Sequence, residues 1–219
     1  MNRDFKKFAN SKGINSMVLH DFQSTYSGYI NPTIMEERQL NITQMDVFSR
    51  LMMDRIIFLG TAIDDTVSNI IVAQMLYLSS GEDGDIKLYL NTPGGGVYSG
   101  LAIKDTMDII GCDVETVVSG MAASMGFILA VSGAEGKRSA LKHSRLMQHQ
   151  PLGGAQGQAS DIAIVAKQID LLKNELYQII SERTGQSMEK IIKDADRDHW
   201  MTSIEAKEYG AIDNVIGMK

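Results

Sequence analysis

Cysteine is nearly absent from the chain. Cys112 is the only one in 219 residues, so no intrachain disulfide can form and a cysteine metal cluster would lack its ligands. That usage suits a reducing compartment. Positive charge is also scarce: 21 Lys and Arg stand against 27 Asp and Glu, a formal charge of −6. A phosphate-binding surface spread over the chain would carry a basic excess, so no nucleic-acid partner is expected. No apolar run reaches the roughly 18 residues of a membrane span, and near the N-terminus only Met17, Val18 and Leu19 cluster, well short of a signal-peptide core. No membrane partner is therefore expected. The expected location is a bacterial-type cytoplasm, ahead of an organelle matrix, because Asp4, Asp21 and the single Arg3 of the leader fit a transit peptide poorly. Internal repeats and low-complexity tracts are missing as well.

What is present is ordinary globular material, 44% hydrophobic and 22% charged, in a length that suits one domain. Residues 1–28 carry Lys6, Lys7 and Lys12 among Ser and Asn without periodicity, and read as a mobile or removable leader. From about residue 46 amphipathic segments alternate with short β-rich runs, which predicts an α/β architecture of strand, helix, strand units. The expected strands are 55–59, 86–90, 114–118, part of 138–149, and 212–216. Val67, Ile70, Ile71, Gln74, Met75 and Leu78 fall at helical spacing over 65–79, with Asp64 or Asp65 as cap and Gly81 as terminator. Thr202 and Glu205 form a capping-box pair for a last helix that stops at Gly210. Over 161–184, Ile162, Val165, Ile169, Leu172, Leu176 and Ile179 make a heptad-like seam. Such a helix is about 36 Å long, more than the roughly 30 Å of a small domain. It is either a long core helix or an arm whose apolar stripe meets another subunit. Before it, Gly153, Gly154 and Gly157 suggest a flexible or closely approached strand, with Ser160 as the candidate cap.

Chemistry concentrates in four places. Gly120-Met121-Ala122-Ala123-Ser124-Met125-Gly126 sets a serine between a strand and an apolar segment, where a tight turn and a helix N-terminus offer free N–H groups to an oxyanion. The same small residues also suit close helix packing. Asn91-Thr92-Pro93-Gly94-Gly95-Gly96 follows a strand and exposes backbone N–H groups, as an oxyanion hole, a phosphate cradle or a plain turn would. Nucleotide binding fits poorly: Ser99 stands where a dinucleotide fingerprint needs its third glycine, and the next strand ends Val117-Val118-Ser119 without the ribose-binding acid. A Walker loop fails too, since Arg138 follows Gly136-Lys137. His20, His143, His149 and His199 are all available as a base, and Asp194, Asp196 and Asp198 as its partner. Spacing alone does not choose among them.

Taken together, Gly-x-Ala-Ala-Ser-x-Gly at 120–126, Arg-x-Met-x-His-Gln-Pro at 145–151 and Arg-Asp-x-Trp at 197–200 resemble the three triad blocks of the ClpP family of serine peptidases, in the same order. The likeness extends through Asn-Thr-Pro-Gly-Gly at 91–95 and Gly-Gly-x-x-Gly-Gln at 153–158, and covers residue 30 to the C-terminus. The resemblance implies a ClpP/crotonase-like α/β fold of repeated β-β-α units with a protruding long-helix handle at about 150–185. A single domain over 29–219 would include an axial N-terminal loop at about 29–45. Ser124 would be the nucleophile, His149 the general base and Asp198 its orienting carboxylate. The backbone N–H groups of Gly95 and Met125 would form the oxyanion hole, and Gly94, Gly96, Pro151 and Leu152 would contact substrate. No metal and no cofactor are implied in this chain, since ATP would be hydrolysed by a partner. The implied partners are copies of the chain in two stacked heptameric rings, an AAA+ unfoldase of the ClpX, ClpA or ClpC type, and unfolded protein substrates.

Two positions depart from the family pattern. Gly96 replaces a side chain, which would loosen the oxyanion loop and lower intrinsic activity, and Gln148 replaces an apolar residue before the histidine. Two other readings compete with the peptidase: a crotonase-type acyl-CoA hydratase or isomerase, which needs no Ser, His, Asp set, and a noncatalytic ring subunit, which usually lacks a member of it.

Overall fold

The computed structural model describes residues 33–38, 41–81 and 84–217, so the leader expected at 1–28 lies outside the described residues. The described chain forms two compact units that divide between Arg50 and Leu51. In the first, β1 (Thr33–Arg38) and β2 (Asn41–Asp46) pair antiparallel, Thr33 opposite Asp46 and Arg38 opposite Asn41. This hairpin is not among the strands expected from the sequence, which begin at residue 55. The β-branched Ile34, Ile42 and Thr43 are the propensity signal that alternation does not reveal. α1 (Val47–Met53) follows directly, with Asp46 Oδ1 accepting from the Ser49 N–H at 3.0 Å as a cap would.

The second unit is the expected α/β architecture. Its strands are β3 (Ile56–Leu59), β4 (Ile86–Thr92), β5 (Val114–Ala123), β6 (Arg138–Leu141), β7 (Arg145–Gln148), β8 (His199–Thr202) and β9 (Asn214–Ile216). They join in the order β3, β4, β5, β6, β9, with β7 pairing β5 and β8 pairing β7. All pairings are parallel except β7 with β8. The run expected over 138–149 is thus two strands broken at Lys142-His143, where the Ser144 N–H turns back to the Leu141 carbonyl at 2.9 Å. Parallel strands need crossovers. α2 (Asp65–Ser79), α3 (Val97–Ile109) and α4 (Met125–Val131) supply them between the first strands. α2 has the bounds read from the sequence: Asp64 is its cap, accepting from the Val67 N–H at 2.8 Å, and Ile71, Met75 and Leu78 face the core while Ile70 is exposed.

The long helix α5 runs Ala159–Thr184 and ends at Gly185 in the left-handed conformation. It starts two residues before the expected 161. Gln158 occupies the cap position without a side-chain hydrogen bond, so Ser160 lies inside the first turn and is not the cap. Residues 149–156 form no strand, so the glycines there belong to an irregular segment. Of the heptad seam, Leu176 is buried and Ile162 and Val165 are exposed; the C-terminal half of α5 is buried most deeply in this unit, while in the first half Gln168 Nε2 donates to the Tyr98 hydroxyl at 3.0 Å. After α6 (Met188–Asp194), α7 (Ser203–Glu208) begins with the expected capping box between Thr202 and Glu205.

A charged clamp closes the far edge of the sheet. Arg138, at the start of β6, is 8% exposed; its guanidinium donates to Asp213 through Nε at 3.0 Å and Nη2 at 2.6 Å, and to the Arg183 carbonyl through Nη1 at 2.6 Å. The Arg138 and Asp213 backbones complete the pair, each N–H donating across it. β6, the approach to β9 and the end of α5 thus meet at one residue. Burial raises the Asp213 pKa, but the bonds from Arg138 outweigh it and hold the carboxyl below its ordinary value. A depressed folded-state pKa stabilises above the unfolded value of about 3.9, and the gain is lost as pH falls through the folded one. Asp213→Ala leaves Arg138 buried and unpaired, so urea unfolding at pH 7 should show a loss of about 3 kcal/mol. The gap from the parent should narrow as the buffer is taken below about pH 4.

Candidate active site

Ser124 stands one residue beyond β5 and one before α4, at φ 55 and ψ −120. This backbone conformation is rare for a residue with a side chain. It turns the chain sharply from strand into helix, so that the serine stands at the N-terminus of α4. α4 can start this abruptly because all seven of its residues, Met125 to Val131, are buried. The Ser124 N–H is tied to the Met147 carbonyl at 2.9 Å, which extends the β5–β7 ladder through the turn.

β5 reaches that point by changing partner. Its residues Thr116 to Val118 pair with β6, and Met121 to Ala123 pair with β7. Between them the register with β4 shifts, from Leu90 opposite Val118 to Thr92 opposite Ala122. Two side chains satisfy the bulge. Asn91 Oδ1 accepts from the Met121 N–H at 3.2 Å, and Ser144 Oγ accepts from the Gly120 N–H at 3.1 Å while donating to the Val118 carbonyl at 2.8 Å.

The glycine loop packs directly on the serine turn. A Cβ on Gly94 would lie 2.7 Å from Ser124 Cβ and 2.9 Å from the Met125 nitrogen, and its φ of +90 suits glycine alone. Gly95, at φ +154, would meet the Ile63 carbonyl oxygen at 2.1 Å. Ile63 holds the loop from its other side: its N–H donates to the Gly94 carbonyl at 2.9 Å, and its carbonyl accepts from the Gly96 N–H at 2.8 Å. The Gly94 N–H donates to Thr92 Oγ1 at 3.1 Å. The Gly95 and Met125 N–H groups have no acceptor among the described residues. Gly96 has an ordinary φ of −59, caps α3, and is bonded to Ile63.

His149 and Asp198 arrive by the antiparallel register of β7 and β8. Met147 opposes Trp200 and Gln148 opposes His199, so one step beyond the ladder His149 faces Asp198. The His149 Nε2 lies 2.8 Å from Ser124 Oγ, and its Nδ1 lies 3.2 Å from Asp198 Oδ1. With the ring proton on Nδ1, the serine hydroxyl donates to Nε2 and Nδ1–H donates to the carboxylate. The imidazole is mostly covered, whereas the Asp198 side chain is 61% exposed. Gln150 staples the two approaches: its N–H donates to the Ala195 carbonyl at 2.7 Å, its Nε2 to the Asp196 carbonyl at 3.1 Å, and its Oε1 accepts from Lys173 of α5 at 3.2 Å.

The other candidates lie elsewhere. His143 is exposed, and His199 Nδ1 meets Gln148 Nε2 at 3.0 Å; His20 is outside the described residues. Asp194 accepts from Lys190 and from the Tyr209 hydroxyl. Burial raises its pKa, but those two donors outweigh it and leave it lowered. Burial also lifts the Tyr209 phenol to about 12. Ile63, which holds the glycine loop in place, does not stand out in the sequence, since an isoleucine carries no chemical signature of its own; Asn91 and Gln150 lie within the motifs quoted above, but nothing in the sequence shows what they bond.

A pocket opens beside Ser124 and His149, walled by Val97, Phe127, Ile128, Leu176 and Ile180. Pro151 lines it as well. Leu152, expected beside it, is 84% exposed, and Gly96 is exposed at the end of its loop. Among the described residues no group of three or more His, Cys, Asp or Glu could hold a metal ion, and no helix is long and apolar enough to cross a membrane.

The family model described as Clp protease matches residues 38–219. The ATP-dependent Clp protease proteolytic subunit of Bacteroides fragilis is 61% identical over 215 residues, covering 97% of this chain and 98% of that protein. Its counterpart in Porphyromonas gingivalis is 60% identical over 97% of both chains. The ATP-dependent Clp protease proteolytic subunit 1 of Gloeobacter violaceus is 57% identical over 78% of this chain and 88% of its own length.

The contact between glycine loop and serine turn is open to a direct test. Gly136, at φ +78, has open space where a Cβ would go, with no atom within 4 Å, so Gly136→Ala should cost only the backbone term, about 1 kcal/mol. Gly94→Ala adds steric overlap with the turn, and chemical unfolding should show a clearly larger loss, about 3 kcal/mol.

Proposed function

The chain belongs to the Clp protease family, and from that premise we propose that Ser124, His149 and Asp198 hydrolyse peptide bonds as nucleophile, general base and orienting carboxylate. The observation that carries this reading is the 2.8 Å contact between His149 Nε2 and Ser124 Oγ, with Asp198 on the opposite ring nitrogen. As Oγ attacks the carbonyl carbon of the scissile bond, its proton passes to Nε2 and the carbonyl electrons move to oxygen. The oxyanion is met by the N–H groups of Gly95 and Met125, each such donor being typically worth about 3 kcal/mol. Collapse of the tetrahedral adduct breaks the C–N bond, and the imidazolium returns its proton to the leaving amine. Water then enters on the same base, forms the acid and restores Ser124. Asp198 holds the ring tautomer throughout. Because its carboxylate is largely solvated, its part is more geometric than Coulombic. Gly94 and Gly96 carry the loop that borders the substrate strand, and Pro151 and Leu152 flank the pocket. Every step is performed by protein groups and water, so the reaction as proposed draws on no metal or cofactor.

The relatives are named as proteolytic subunits of an ATP-dependent protease. By extension, this chain works as a ring of copies, two heptamers stacked, fed with unfolded polypeptide by an AAA+ unfoldase in the cytoplasm. Two features support that extension. The exposed apolar residues Ile162, Ile164, Val165 and Leu171 lie on the N-terminal half of α5, where a handle would need a partner surface. The chain also has no Walker loop of its own at Gly136-Lys137-Arg138. The axial segment at 29–45 and the handle at 150–185 are assigned on the same basis.

Ser124→Ala should abolish both peptide hydrolysis and labelling by a fluorophosphonate. Asp198→Asn should keep the labelling site but lower kcat by about 10^3-fold or more. Undiminished hydrolysis by Ser124→Ala would refute the assignment, and a parent protein that is neither labelled nor hydrolytic would favour enolate chemistry on the same backbone donors.

A further inference from the structure

α3 adjoins both residues whose N–H groups lack an acceptor among the described residues. It begins just after Gly95, with Gly96 as its cap and Val97 in the pocket wall beside Ser124. Within its first turn Gly100 packs on Met125: a Cβ there would lie 2.1 Å from Met125 Cγ, so the side chain of the second donor rests on α3. The placement of α3 therefore bears on the Gly95 and the Met125 N–H groups together.

Ser99, one residue before Gly100, is where α2 takes hold of α3. Its hydroxyl donates to Asp65 Oδ1 at 2.6 Å, the short separation of a hydroxyl on a carboxylate, and its carbonyl accepts from the Ser68 hydroxyl, also at 2.6 Å. Ser68 and Ser99 are 3% and 8% exposed, so little water competes for either hydroxyl. Asp65 opens α2 two residues beyond Ile63, whose backbone grips Gly94 and Gly96. Two side-chain bonds thus join α2 to the first turn of α3, next to the backbone bonds that seat the loop. Gly96 makes room for the first of them, because a Cβ at that position would lie 3.0 Å from Ser99 Oγ. The glycine that departs from the family pattern and the hydroxyl it accommodates form one unit.

We propose that Ser99, held by Asp65 and Ser68, is a positioning residue for the oxyanion hole, acting through α3 on the Gly95 and Met125 N–H groups. This rests on the peptidase reading above. The scissile carbonyl oxygen gains its charge only as Ser124 Oγ attacks, so donors kept at a fixed separation favour the transition state over the bound substrate. Loss of the Ser99 hydroxyl frees the first turn of α3 to shift against α2. A small displacement of either donor is then felt in kcat and hardly in KM. Ser99 itself does not line the pocket beside Ser124, so its effect is carried by the loop and by Met125.

The test uses the assembled full-length protein, a fluorogenic peptide and the boronic acid of the same peptide, with active sites counted by fluorophosphonate labelling. In the boronate adduct Ser124 Oγ bonds to boron, its proton passes to His149, and one boron-bound oxygen takes the place of the oxyanion. Ser99→Ala should lower kcat per labelled site about fivefold with KM unchanged, and raise the boronate Ki by the same factor. Thr106→Val removes a hydroxyl of the same helix, one that donates to the Ala102 carbonyl inside α3 at 2.7 Å, and it should leave both quantities at the parent values. If Ser99→Ala does not assemble, Ser68→Ala decides by the same measurements. Parent-like kcat and Ki in the deciding variant, equal losses in Thr106→Val, or a fall in kcat without a rise in Ki would each overturn the positioning role and leave the peptidase reading intact. A parent that is neither labelled nor hydrolytic removes the premise instead.

Discussion

The candidate site rests on one constraint, the shared register of three neighbouring strand ends. β5, β7 and β8 each deliver one residue past their last ladder pair, and the bond from the Ser124 N–H to the Met147 carbonyl fixes the first delivery relative to the second. A slip of one residue in any of these pairings would turn a reacting side chain to the opposite face. The bulge in β5 is what allows the arrangement, because a straight strand would stay beside β6 and never meet β7. Asn91 and Ser144 are therefore as much a part of the site as the groups they never touch.

Around that register, contacts that are individually modest converge from separate elements. Ile63 grips the glycine loop from the segment before α2, and Gln150 binds the approach to Asp198 while receiving Lys173 from α5. The neutral hydrogen bonds among them are worth about 1 kcal/mol each, and the one from the Lys173 ammonium about 2 kcal/mol. Their value here lies in holding backbone donors and a hydroxyl at fixed separation, where a displacement of about 1 Å costs far more in rate than in stability.

Much of this is legible in the sequence, and the rest is hidden for identifiable reasons. α2, its Asp64 cap and the Thr202 and Glu205 capping box are readable because caps and helical periodicity are local signals. The turn at Ser124 is visible as small residues between a strand and an apolar run. The choice among His143, His149 and His199, and among Asp194, Asp196 and Asp198, is not available from spacing, because it depends on which residues oppose each other across β7 and β8. Resemblance to a family supplies what periodicity cannot. The break between β6 and β7 is blurred for a related reason: Leu146, Met147 and Gln148 are all buried, so β7 shows no alternation to mark its limits. Gln148 stands out as a departure, but its place in the fold is visible only once Tyr209 and His199 are seen to take its amide protons.

The left-handed backbone at Ser124 has a thermodynamic corollary. Holding a side-chain-bearing residue at φ 55 and ψ −120 stores free energy of order 1–3 kcal/mol, recovered from the packing of α4 and the β5–β7 ladder. A glycine at that position would relieve it. The folded chain is thus tenser with its hydroxyl than it would be without it, and drift toward greater thermal robustness runs downhill toward an inert protein unless turnover itself is selected.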